Sequence, residues 1–178
     1  MALATITWYL DATTVADSQY SPMIKSITFG LSLWRKGASF KLIDRVQDKS
    51  DVLHVTIYMR EFTDVEYPSI AISEPVSFNR ANIALDKQTP WNMDTVHWWN
   101  RFFGNGLDLS RTITHEIGHC VGLRHTTVVS SIMVQQETAL PSKPSPQDIT
   151  NFASRVAALA ADASLRTRQQ RFSTRTNR

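Results

Sequence analysis

One run of eleven residues constrains this chain more than any other: His115-Glu116-Ile117-Gly118-His119-Cys120-Val121-Gly122-Leu123-Arg124-His125. Histidines four apart share a helix face, so His115 and His119 reach one ion only if the segment between them is helical. Glu116 sits at the edge of that face, beside the first ligand. Gly122 can take backbone angles that most residues avoid, ending the helix and turning the chain so that His125 arrives as a third ligand. The fold must therefore hold a helix that stops abruptly and bends back on itself.

Three neutral nitrogen ligands with one position left open describe a catalytic zinc site, because structural sites are normally closed by four protein ligands. Zinc acidifies its water and polarises a carbonyl, and Glu116 is placed to accept the water's proton and pass it to a leaving amine. HExxH alone arises by accident in unrelated helices. The added glycine and third histidine at fixed offsets make accident remote. The expectation is one catalytic Zn2+ on His115, His119 and His125, with Glu116 as general base for hydrolysis of a polypeptide substrate.

The remaining candidates are weaker. His54 falls in a strand and reads as a satisfied structural side chain. His97 lies among Trp98, Trp99, Phe102 and Phe103, where packing and lining of a cleft are the two readings. Cys120 follows His119 and so points away from the metal, as a small buried hydrophobe.

With 178 residues, 42% of them hydrophobic, the chain can bury a core of its own as one domain. Its single cysteine excludes an intramolecular disulfide. Five arginines follow Asp162, the last acidic residue, leaving 14 positive and 16 negative groups before them, so the net charge of +3 belongs to the tail. The expected division is a domain at residues 1–165 and a basic tail at 166–178, solvated or touching an acidic partner. Nucleic-acid binding is not expected without a basic folded surface. Neither a signal peptide nor a membrane span is visible in the sequence.

Periodicity fills in the rest. Residues 4–10 alternate Ile6, Trp8 and Leu10 against polar neighbours, as a half-buried strand does. Ser21-Pro22 reads as the start of a helix carrying Ile24, Ile27, Leu31 and Trp34, with Gly37 closing it in a left-handed conformation. Strands are expected at residues 40–46, 52–59, 70–72 and 78–86, the last as an edge strand. Early strands joined by a helix predict parallel pairing. An aromatic-rich connection at 91–107 precedes the motif helix, which Asp108 caps. Ser145, Pro146 and Asp148 read as the capping box of a last helix running to about Leu165. The fold class is thus α+β, a mixed twisted sheet of four to five strands with an active-site helix and a C-terminal helix.

Taken together these residues resemble the metzincin metallopeptidases, and among them the matrixins, in a minimal form with a zincin-like fold. The zinc motif matches in full, and Ser130-Ser131-Ile132-Met133 resembles the Met-turn, which implies that Met133 floors the metal site and that Asp148 helps hold the turn. Residues 82–86 followed by Thr89-Pro90-Trp91 resemble the matrixin edge strand, which implies substrate pairing at Asn82, Ile83 and Ala84. Arg111, one turn before His115, falls where the resemblance places a wall of the primed-side pocket. A surface arginine satisfying its own helix is the other reading.

The departures also carry expectations. Ala84 stands where a structural-zinc histidine is usual, and of the acidic calcium pair only Asp86 remains, with Thr89 in place of a glutamate. One zinc is expected, with neither a structural zinc nor calcium. Val134 replaces a common tyrosine. A reading of another class is a metzincin-like module with a structural or assembly role in a larger complex, having weak or no proteolysis. Its protein partner would meet the 91–107 stretch or the tail.

Overall fold

The computed structural model describes residues 4–43, 52–77, 79–93, 107–135 and 141–176, with side chains described as far as residue 166. Strands β1 (Thr5–Leu10), β2 (Ser39–Leu42), β3 (Leu53–Arg60), β4 (Ala71–Ser77) and β5 (Arg80–Asp86) form one sheet in the order β2-β1-β3-β5-β4. The pairs β1–β2, β1–β3 and β3–β5 are parallel, and only β4 runs antiparallel, against β5. Helix α1 (Asp17–Ser32) makes the crossover from β1 to β2, the connection a parallel pair requires. A two-stranded parallel ladder joins β6 (Trp91–Asn92) to β7 (Leu107–Asp108) just before helix α2 (Leu109–Cys120). Helix α3 (Pro146–Thr176) follows.

The strand periodicity places the core. Ile6, Trp8 and Leu10 of β1 and Leu53, Val55, Ile57 and Met59 of β3 are buried, joined by Met23, Ile27 and Leu31 from α1, Trp34 from the turn after it, and Leu109, Ile113 and Ile117 from α2. Each large side chain sealed from water contributes roughly 1.5–3 kcal/mol. Helices α1 and α2 pack together, and α2 also lies against β4 and β5. Close approach of the helices depends on Gly30, where a Cβ would meet the Ser110 carbonyl oxygen at 2.4 Å.

Four sequence expectations need correction. Residues 82–86 are not an edge: β5 is hydrogen-bonded to β3 on one side and to β4 on the other, because the segment from Ala71 folds back over it. The edge is β4. Helix α1 begins at Asp17, not Ser21, and carries Pro22 in its second turn, where the lost N–H costs one helical bond. Gly37 is not left-handed; it makes room for α3, since a Cβ there would lie 2.8 Å from Phe152 Cδ1. Helix α3 runs past Leu165 to Thr176, as no proline or glycine follows Pro146 to stop it. Within the described residues no helix is long and apolar enough to cross a membrane. His97 and most of the 91–107 stretch lie outside the described residues.

Candidate metal centre

Helix α2 starts at Asp108, whose side chain accepts from the Arg111 N–H and so caps an otherwise unpaired donor. The buried face of α2 brings His115 and Glu116 inside, at 1% and 3% exposure. Gly122, at φ +90°, reverses the chain after the helix, and its N–H and that of Leu123 return to the His119 and Gly118 carbonyls. That turn brings His125 to the other two histidines.

The three Nε2 atoms form a triangle with edges of 3.0 Å (His115 to His119), 3.1 Å (His119 to His125) and 3.2 Å (His115 to His125). The Nδ1 atoms of two of these rings are engaged. His115 Nδ1 lies 2.7 Å from the Ile132 carbonyl and His119 Nδ1 lies 2.8 Å from that of Leu123. A carbonyl accepts only, so each Nδ1 carries the proton and each Nε2 presents a lone pair. Lone pairs aimed at one another 3.0 Å apart repel unless a cation lies between them. Tetrahedral coordination at about 2.0–2.1 Å spaces nitrogens roughly 3.3 Å apart, close to the distances found.

Burial also keeps His115 and His119 neutral. Desolvation pushes the His115 imidazolium down to about pKa 4 and lowers that of His119, against the opposing pull of their backbone carbonyl partners. Neutral imidazole is the form that binds a metal. Among the described residues His115, His119 and His125 are the group able to hold an ion.

The turn at residues 131–133 is held from a distance. Met133 is buried, and its sulfur packs so closely on α2 that a Cβ at Gly118 would stand 2.4 Å from Sδ. The turn is fixed by Asp148 of α3, whose Oδ1 accepts from Ser131 Oγ at 2.5 Å and whose Oδ2 accepts from the Ile132 N–H at 3.0 Å. Ser131 Oγ in turn accepts from the Met133 N–H. Oδ2 also takes the Ser145 N–H while Ser145 Oγ takes that of Asp148, the reciprocal capping box expected from the sequence. Because Ile132 supplies the carbonyl on His115, one carboxylate links the last helix to a metal ligand in two steps.

The back of α2 is fixed as well. Trp34 Nε1 donates to the Thr114 carbonyl at 2.9 Å, and its ring stacks on Phe152 with centroids 4.3 Å apart. Thr114 Oγ1 reaches the carbonyls of Gly30 and Ser110.

The family model Peptidase_M10, described as Matrixin, matches residues 2–151, most of the chain and all of the centre. The chain belongs to the matrixin family. It is therefore a metallopeptidase by family, with polypeptide as its substrate class. None of the curated proteins matches it.

The other candidate residues of this matrixin have surroundings of their own. Ile83 and Ala84 are fully buried and, with Asn82, sit inside the sheet, so the substrate pairing expected there does not fit. Arg111 pairs with Asp108 at 3.3 Å. His54 is a buried structural residue with Nδ1 3.0 Å from Thr7 Oγ1. Cys120 is half-buried against the core, and burial and the Glu116 charge push its thiol up. Gly118 was missed as a site residue. A glycine inside a helix costs about 1 kcal/mol against alanine, and that cost was the available signal that something packs against it.

Proposed function

We propose that this matrixin is a zinc-dependent endopeptidase in which Glu116 is the general base beside a single zinc held by His115, His119 and His125. The observation that carries the reading is the Nε2 triangle with its proton-bearing Nδ1 atoms fixed by backbone carbonyls. Bound zinc supplies Lewis acidity, polarising the scissile carbonyl and making water a nucleophile near neutral pH. Glu116 takes the proton of the attacking water as the new C–O bond forms. It then returns that proton to the amine nitrogen as the C–N bond breaks.

Residues 130–133 serve as the Met-turn, with Met133 as the floor of the site. Arg111, anchored on Asp108, walls the pocket after the cleavage point and favours small or medium side chains there. One zinc suffices, with no structural zinc and no calcium: the Asp86 carboxylate closes its own turn, accepting from the Gln88 N–H and from Thr89 Oγ1. The substrate lies extended along the open edge of β4.

The test is digestion of denatured casein by the full chain, with and without a chelator, alongside Glu116→Ala and Arg111→Ala. Cleavage should need metal and fall by about 100-fold or more in Glu116→Ala with zinc retained. Cleavage indifferent to the chelator would sink the reading. Arg111→Ala should admit larger residues after the cut, and an unchanged product pattern would remove Arg111 from the pocket.

A further inference from the structure

We infer that Pro75 limits how a peptide bonds to the edge of β4, leaving one complete backbone pair at Ser73 and an acceptor-only position at Pro75. The inference rests on the proteolytic reading and makes its docking edge specific. In a strand the N–H and C=O of one residue point to the same side, and the side alternates along the chain. The Asp86 N–H donates to the Ile70 carbonyl at 2.9 Å, so Ile70 faces β5. The register of Ala71 with Leu85, Ile72 with Ala84 and Glu74 with Asn82 carries the alternation on. Ile72 and Glu74 therefore face β5, while Ala71, Ser73 and Pro75 face outward.

The other side of β5 gives the same parity. The Lys87 N–H donates to the Arg60 carbonyl, and the Asn79 carbonyl accepts from the His54 N–H. Odd-numbered residues of β5 thus face β3, leaving Asn82, Ala84 and Asp86 for β4.

Exposure narrows the usable edge. Ala71 is 4% exposed, Ser73 is half-buried and Pro75 is exposed. Proline is tolerated in a sheet where its missing N–H would face away from the ladder, which is where the parity places Pro75. Folding loses no ladder bond there, but a docking strand loses a donor. A peptide laid antiparallel sets two of its residues, two apart, opposite Ser73 and Pro75. The first exchanges two hydrogen bonds with Ser73. The second, nearer the peptide's N-terminus, gives its N–H to the Pro75 carbonyl, and its own carbonyl gets nothing from the strand. The same gap discourages edge-to-edge pairing of two copies.

The probe is a ten-residue peptide spanning the preferred cleavage point in denatured casein, trimmed one residue at a time from its N-terminus. Pro75→Ala restores the donor and should lower KM about three- to tenfold on peptides that reach this position, the gain vanishing once trimming passes it. An amide-to-ester scan of the same peptide on the unmodified chain should raise KM at two positions, two residues apart. Equal KM for Pro75→Ala and the unmodified chain at every length, a gain that survives full trimming, or an ester scan without the paired positions would overturn the inference. Absence of chelator-sensitive cleavage of any peptide would instead remove the proteolytic reading beneath it.

Discussion

Single residues decide whether three histidines become a centre. A Cβ at Gly118 would stand 2.4 Å from Met133 Sδ, so a side chain there requires the buried methionine to shift. Gly118→Ala should cost about 1–3 kcal/mol in chemical denaturation and weaken zinc binding, since relief comes only by moving the methionine or the helix. An unchanged midpoint and zinc affinity would show that Met133 does not press on α2. His115 sets a pH dependence. Its ordinary pKa of 6.5 falls to about 4 in the folded chain, so the unfolded chain binds more protons between those values. The stability of the metal-free chain is therefore complete above about pH 6.5 and declines as pH falls toward 4. Urea midpoints taken across that window on chelated protein check the slope, and His115→Gln should reduce it, leaving the smaller part that His119 contributes.

At the scale of elements, α2 carries the ligands but is positioned by its neighbours. Gly30 of α1 and Trp34 of the turn after it fix it through Thr114, and α3 reaches it through Asp148 and the turn at residues 131–133. Asp148→Ala leaves Ser131 Oγ and the N–H groups of Ile132 and Ser145 without their acceptor. It should cost about 3 kcal/mol and weaken zinc binding, measured by denaturant unfolding and chelator competition. Loss of stability without loss of zinc affinity would mean that the turn does not orient His115.

What the sequence made legible follows from how local each signal is. The helix and turn of the motif, the Asp108 cap and the Ser145–Asp148 box are set within a few residues, and all three are formed as their local signals predict. The face of β3 was readable because period-2 burial needs no knowledge of its neighbours. The place of β5 was not, because its all-apolar centre looks the same at an edge or inside, and the pairing of β4 is decided by a fold-back that no local pattern announces. The role of Gly37 was hidden for the same reason: its partner, Phe152, lies more than a hundred residues away.

At the scale of the described molecule, the packing of α1 and α2 and the reach of α3 meet at the end of α2 that carries the histidines. The helix and turn that carry the centre are held by residues as far apart as Gly30, Trp34 and Phe152, so metal binding reports on the integrity of that packing. The most direct measurement is metal content by elemental analysis of the purified full chain and of a variant carrying His115→Ala, His119→Ala and His125→Ala together. The prediction is one zinc per chain, lost in the variant. Two zincs per chain, or zinc retained without the three histidines, would contradict the account.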